Sequence, residues 1–410
     1  MRSVRFTDRI FYAIFVTTMQ NESLYIFNPQ HDLALANYSP FYHAPQSAIT
    51  FAQDLALLPL WYGSTYADIV AEQADLIWLN EQKKHFSQLE NKNTNISTEY
   101  KLIHPWGWDP EVRYKLLQLG ISPSCLPSYK MLQKIKTLSH RQLATDGMLY
   151  LKSKIQAIEF PIPATQLNTL DAIFEFTQKY PEIVLKAPYS GSGKGLYWSK
   201  GELTESLAGW CKHTIAKQGC VMGEEALQNI QDFAMEFYSD EHENIIFSGY
   251  SLFQTDKGGI YKSNLLLSNE AIESLLENYV TTDTLQQIQL HLIEFFKTNI
   301  AGYYQGYFGV DMFIYKQVDG TFAVNPCVEI NLRMTMGMVA RLFYDRFVKY
   351  PQKGIFTIEH SSTKRELLEK QQQLMRQFPL SLKDDKIEAG YLSLCPITET
   401  THYCASVIIN

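Results

Sequence analysis

No two cysteines in this 410-residue chain sit at metal-finger spacing; the six (Cys125, Cys211, Cys220, Cys327, Cys395 and Cys404) are scattered without a CxxC pair. That excludes a zinc ribbon and a dense disulfide framework, and reduced, mostly buried thiols in a cytoplasmic protein are expected instead. An excess of positive charge is missing as well. A net charge of −7 with no run of lysine and arginine argues against a nucleic-acid backbone as partner. No uninterrupted apolar stretch reaches the length of a membrane span, so no membrane partner is expected. Internal repeats and low-complexity segments are also lacking. What remains is an ordinary globular composition, 46% apolar, long enough for two or three domains around a large core.

The amino terminus loosely mimics a secretory signal: Arg2, Arg5 and Arg9 precede a short apolar run over residues 10–16. Asp8 interrupts the basic region and no small-residue cleavage site follows. Met19 stands just before a polar stretch and the first convincing strand. Translation is therefore expected to begin there, with residues 1–22 a non-structural extension.

Residues 23–125 alternate strand and helix patterns. Strands are expected at 24–27, 68–69 and 102–104, and helices open at 32, 76 and 110, the last stopped by Gly120. This order predicts a small open α/β sheet. Polar residues bunch behind its strands: Asn28, Gln30, His31 and Asp32 after the first, then His104, Trp106, Trp108 and Asp109. Carboxyl ends of strands are where such sheets hold ligands, although Asp32 and Asp109-Pro110 read equally well as helix caps.

Residues 126–340 form a second unit. Ser139-His140-Arg141 opens a helix to about residue 157, and another covers 169–180. A strand at 183–185 then leads into Lys186-Ala187-Pro188-Tyr189-Ser190-Gly191-Ser192-Gly193-Lys194-Gly195. After a helix at 204–217, a strand at 220–222 runs into Gly223-Glu224-Glu225-Ala226-Leu227. Strands at 232–237 and 245–253 and a helix at 285–301 follow. The unit closes on Gly309-Val310-Asp311, a hairpin, and Val328-Glu329-Ile330-Asn331-Leu332-Arg333. Alternation along a strand puts Glu329, Asn331 and Arg333 on one face. Burying such groups unpaired would cost roughly 2–7 kcal/mol each. Carboxylate and amide oxygens suit a hard divalent cation, and arginine suits phosphate; the plain alternative is a surface strand with a polar face.

The glycine-rich segment is not a Walker loop, because Pro188 occupies the upstream glycine position and Gly195 follows the lysine. Nor is it a dinucleotide fingerprint, since no helix starts there. It reads as a loop between two strands, 183–186 and 196–198, whose glycines let backbone N–H groups approach phosphates.

Taken in order, the parts are a basic residue at a helix start, a strand lysine, a Gly/Ser loop, a strand ending in acids, an Asp-bearing strand and a Glu-x-Asn-x-Arg strand. Over roughly residues 100–340 this order resembles the ATP-grasp superfamily, which includes D-alanine–D-alanine ligase and biotin carboxylase. The resemblance implies a mixed α/β and α+β protein: an amino-terminal open α/β pre-grasp sheet followed by a two-lobed ATP-grasp domain. It implies ATP and Mg²⁺ (or Mn²⁺) as cofactors. Arg141 would contact phosphate, and Lys186 would bridge the α- and β-phosphates. Ser190, Gly191, Ser192, Gly193, Lys194 and Gly195 would fold over the triphosphate. Glu224 would meet the adenine amino edge, Glu225, Ala226 and Leu227 would form the hinge backbone, and Asp232 would take the ribose hydroxyls. Asp311, Glu329 and Asn331 would hold the metal, Arg333 would steady the transferred phosphate, and Lys262 is a weaker candidate for the γ-phosphate.

Two departures stand out: Gly309 occupies a position that is often basic, and the spacing from Asp311 to Glu329 is wider than usual. The activity implied is ligation of a small-molecule carboxylate to an amine or similar nucleophile. The alternatives are a kinase-like phosphotransferase and a non-catalytic nucleotide-binding regulator. A homodimer is common in the superfamily. Residues 341–410 carry no recognised chemistry and are expected to cap the grasp domain or form a subunit contact.

Overall fold

Parallel pairing in the first quarter of the chain and antiparallel pairing after it divide the computed structural model into three sheets. The structure describes residues 22–156, 158–191, 195–256 and 258–410. The expected extension, including Met19 and all but Glu22, lies outside the described residues.

The first sheet has the order β3-β2-β1-β4, with β1 at Ser23–Ile26, β2 at Ala67–Ile69, β3 at Lys92–Asn93 and β4 at Leu102–Pro105. Its central strand β1 is short, buried throughout and apolar on both faces, as a parallel strand covered on both sides requires. Leu24 and Ile26 pack toward Val112 and Leu116 of the helix Pro110–Gln118. Tyr25 and Phe27 face the opposite core with Trp61 and Tyr62. The chain walks outward from β1 to β3 and then returns to the other flank of β1 as β4. The order thus reverses between β1 and β4, and the crevice beyond their carboxyl ends is where open α/β sheets place ligands.

The second sheet, β5-β8-β6-β7, is a small lobe. It comprises β5 (Thr165–Leu167), β6 (Ile183–Lys186), β7 (Leu196–Ser199) and β8 (Val221–Glu225). Helices Leu170–Lys179 and Glu205–Gln218 bury Ile173, Phe176, Leu207 and Cys211 against it. As expected, β6 and β7 form a hairpin around the glycine-rich loop.

The third sheet has nine strands, all antiparallel, in the order β13-β12-β9-β10-β11-β14-β17-β16-β15. They are β9 (Gln228–Ser239), β10 (Ile245–Thr255), β11 (Tyr261–Leu266), β12 (Gly306–Lys316), β13 (Phe322–Asn331), β14 (Gly354–His360), β15 (Ser381–Lys383), β16 (Lys386–Ser393) and β17 (Tyr403–Ile409). One face buries Phe233, Met235, Phe237, Val310 and Met312 under the helix Thr282–Asn299. The sheet continues past residue 340, where a boundary is expected: the helix Met336–Phe347 runs through that position, and β14, β16 and β17 lie in the same sheet. Phe343 and Phe347 of that helix pack edge-on against Trp61, whose indole N–H donates to the Leu394 carbonyl at 2.6 Å. The amino-terminal sheet is thereby joined to the last strands through one core. All six cysteines are unpaired, and no helix among the described residues is long and apolar enough to cross a membrane.

Candidate functional site

Asp311 and Glu329 are direct register partners across the β12–β13 pair, and Asn331 stands opposite Gly309. Directly opposed residues share a face, with Cβ atoms about 5 Å apart, and like charges there repel. On the other flank of β12, Ala234 faces Asp311 and Glu236 faces Gly309. Three neighbouring strands therefore bring acids to one patch, with small residues at the positions where they crowd.

Burial, followed by the charge of Glu329, pushes the Asp311 carboxyl up to about 7, against the pull of Arg333 and a hydrogen bond donated by Asn331 Nδ2 at 3.1 Å. Glu236 is wholly buried and pushed up to about 8 by burial and by Asp311. Its carboxyl accepts from the Thr335 hydroxyl at 3.0 Å and the Ser251 hydroxyl at 3.1 Å. Glu236 escapes the motif reading, yet it lies four residues beyond Asp232 on the same strand face, and that period-two placement is the signal that finds it.

A pH dependence follows from these two groups. A carboxyl whose folded pKa exceeds its unfolded value binds protons more readily in the native state, so stability falls as pH rises toward the folded pKa. For Glu236 the window runs from about 4.5 to about 8. We expect the melting temperature in EDTA to fall between pH 5 and pH 8, and to fall less in Glu236→Gln, which keeps a neutral, hydrogen-bonding side chain. Equal slopes for the two proteins would contradict the assignment.

Lys186, Arg141 and Arg333 are each paired with an acid. Lys186 Nζ lies 2.7 Å from Glu224 Oε2, and both side chains are largely buried. The two are diagonal neighbours across β6 and β8, where Val184 is the register partner of Glu224. The expectation for Glu224 changes accordingly: its carboxylate serves Lys186, because a buried ammonium on that strand end needs a counter-charge. Arg141, just ahead of the helix Gln142–Lys154, reaches three places. Nη1 contacts Glu329 Oε2 at 2.8 Å, Nε donates to the Ala187 carbonyl at 2.9 Å, and Nη2 donates to Ser190 Oγ at 3.1 Å. One guanidinium thus ties the small lobe, the residue after Lys186 and the β12–β13 acids together.

Arg333 does not continue the β13 alternation, since the strand ends at Asn331. The Arg333 N–H donates to the Asn331 carbonyl at 2.8 Å in a tight turn, and the next residue, Met334, donates to the Trp106 carbonyl at 2.7 Å. This turn carries the Arg333 side chain to the amino-terminal sheet, where Nε contacts both oxygens of Asp32 at 3.0 and 3.1 Å. That guanidinium holds the Asp32 carboxyl below the usual carboxylate range despite its burial. Gly191 closes over the same carboxylate: a Cβ there would collide with Asp32 Oδ2 and could be accommodated only by displacing that carboxylate from Arg333.

The remaining expected residues are placed as follows. Gly195 accepts from the Ala187 N–H at 2.8 Å as the hairpin resumes. Ser192, Gly193 and Lys194 lie outside the described residues. Glu225 ends β8, and Ala226 and Leu227 carry the chain into β9 between the two antiparallel sheets, with the Ala226 N–H donating to the Glu182 carbonyl at 2.9 Å. Asp232 accepts from Asn229 at 2.7 Å and from Thr255 at 3.2 Å, and its charge is felt by Asp311. Lys262 is exposed on β11, and its charge acts on Asp256.

The donor set fits a hard cation such as Mg²⁺. Two opposed carboxylates and the free amide oxygen of Asn331 leave positions for water and phosphate oxygens, which Mg²⁺ favours over an all-protein cage. Among the described residues, no three His, Cys, Asp or Glu side chains form a ready cage. A crevice runs between the amino-terminal sheet, the glycine-rich loop and the end of β13, lined by His31, Asp32, Tyr189, Ser190, Glu329 and Arg333.

No protein-family model and no curated protein sequence matches the chain. Solved structures do. The chain is similar to the biotin carboxylase of Campylobacter jejuni solved as a β,γ-ATP complex, with 13% identity over 96% of this chain and 88% of that one, at a TM-score of 0.50. It is also similar to the biotin carboxylase domain dimer of the Hydrogenobacter thermophilus 2-oxoglutarate carboxylase in complex with MgADP, ADP and bicarbonate. That match has 11% identity over 95% of this chain and 86% of that one, at a TM-score of 0.51.

Proposed function

From the ATP-grasp fold of this chain, we propose an ATP- and Mg²⁺-dependent ligase that activates a substrate carboxylate for attack by an amine or similar nucleophile. The observation that carries this reading is the opposed Asp311/Glu329 pair, tied through Arg141 to Ala187, the residue after Lys186, with Arg333 reaching from the end of β13 to Asp32 of the amino-terminal unit. The structures it resembles were solved with adenine nucleotides, one of them with MgADP and bicarbonate.

Asp311, Glu329 and Asn331 would hold the metal, which when bound neutralises phosphate charge. Lys186 and Arg141 would turn from their carboxylates toward the phosphates, and the Ser190–Gly191 backbone would close over them. Arg333 would face the transferred group from the amino-terminal side. Phosphoryl transfer needs mainly this neutralisation and alignment. In the first step a bond forms between the substrate carboxylate oxygen and the γ-phosphorus, while the bond to the bridging oxygen breaks and ADP leaves. In the second, the nucleophile bonds to the acyl carbon and phosphate departs with the C–O electron pair. Asp232, Glu225, Ala226 and Leu227 are assigned to the nucleoside end of the cleft.

The test is ADP and phosphate release over a panel of amino acids, short dicarboxylates, ammonia and diamines. Release that requires both a carboxylate and an amine supports ligation. A stable phosphorylated product selects a kinase-like phosphotransferase, and release indifferent to every carboxylate contradicts the proposal.

A further inference from the structure

We infer that His31, oriented by Asp109, is the proton acceptor for the attacking amine; this rests on the ligase reading. His31 is the first residue of the helix His31–Asn37, at the carboxyl end of β1, and Asp109 follows β4. The two therefore meet at the point where the strand order of the first sheet reverses. His31 Nδ1 lies 3.2 Å from Asp109 Oδ2, with side-chain exposures of 2% and 0%.

Asp109 is held by both carboxylate oxygens. Its Oδ1 accepts from the Glu111 and Val112 N–H groups at 2.8 and 3.0 Å, and its Oδ2 also accepts from Asn28 Nδ2 at 3.2 Å. A carboxylate so fixed selects the tautomer with the proton on Nδ1, leaving a lone pair on Nε2. The imidazole lies flat on Gly107, where any Cβ would overlap the ring, so the ring is clamped from below as well as from the side.

His31 also lines the crevice that holds Arg333 and Glu329. Its chain neighbour Asp32 is the residue in contact with Arg333. A group arriving at the phosphate end from the amino-terminal side therefore meets His31. When the amine nitrogen bonds to the acyl carbon, one N–H proton must leave. Nε2 receives that proton while phosphate departs with the C–O electrons, and the Asp109 carboxylate stabilises the resulting imidazolium. Asp109 is a positioning residue in this scheme, and His31 is the catalytic one.

The experiment uses the carboxylate and amine identified by the panel, with hydroxylamine as a second nucleophile that attacks without needing a base. His31→Gln and His31→Ala should lower amide formation by about 100-fold or more, within the usual range for general-base catalysis. Hydroxamate formation, and the first-turnover burst of carboxylate-dependent ADP release measured without amine, should stay within a few-fold of wild type. Added imidazole should restore part of the amide activity in His31→Ala, a response that a structural role would not produce. Equal loss with both nucleophiles, or no loss with either, would overturn the assignment while leaving the ligase reading intact. Failure of wild type to release ADP with any carboxylate would remove both.

Discussion

Asp311→Asn should cut Mg²⁺-dependent nucleotide turnover by a hundredfold or more, yet leave the metal-free protein at least as stable as wild type. The loss follows from removing one preorganised charge at the reacting phosphates, typically about 3 kcal/mol in the barrier. The stability follows from the register. Asp311 is half-buried directly opposite Glu329, and its carboxyl is pushed up to about 7 by desolvation and by that charge. Asparagine keeps the volume and a partner for Asn331 while the repulsion disappears. ADP release at saturating Mg²⁺ and a thermal melt in EDTA measure the two halves separately. A variant that loses stability and activity together would show Asp311 to be a structural carboxyl, and full activity would remove it from the metal.

Lys186→Met is expected to destabilise the fold and abolish nucleotide binding, and the two effects can be separated. Its ammonium and the Glu224 carboxylate are 7% and 15% exposed at 2.7 Å, so deleting the cation strands a largely buried charge. Breaking such a pair costs about 3–5 kcal/mol, and the partial exposure of Glu224 puts this case at the lower end. The double variant Lys186→Met/Glu224→Gln removes the stranded charge and should recover most of the melting temperature. It should not recover affinity for ADP, because nothing then faces the phosphates from β6. Chemical denaturation and calorimetry on the single and double variants decide the point. Wild-type affinity in the double variant would reduce Lys186 to a structural role.

Much of this was legible before the structure. The βα alternation of the first sheet, the β6–β7 hairpin and the acids of β12 and β13 follow from periodicity, from glycine placement and from the cost of leaving such groups unpaired in a strand. What the sequence hid is mostly long-range. Nothing near Asp32 announces a partner at Arg333, 301 residues away; the contact depends on a turn after Asn331 that breaks the strand period. Glu224 shows the same limit, since an acid at a strand end gives no sign that the neighbouring strand brings a lysine diagonally across from it. Strand β14 lies in a stretch marked by Pro351 and Gly354 and polar toward its end, so its place in the nine-stranded sheet comes from its neighbours rather than from local pattern. Asp109 reads as a helix cap and is one, with Oδ1. Its second oxygen, spent on Asn28 and His31, appears only once β1 and β4 are side by side.

Titration calorimetry of the wild-type protein with ADP, in the presence and absence of Mg²⁺, tests most directly whether the β6–β8 lobe and the β12–β13 acids form one nucleotide site. The account predicts saturable, one-site binding that tightens with Mg²⁺ and loses that Mg²⁺ response in Asp311→Asn. No heat with millimolar ADP and Mg²⁺, or a Mg²⁺ response unchanged in Asp311→Asn, would contradict it.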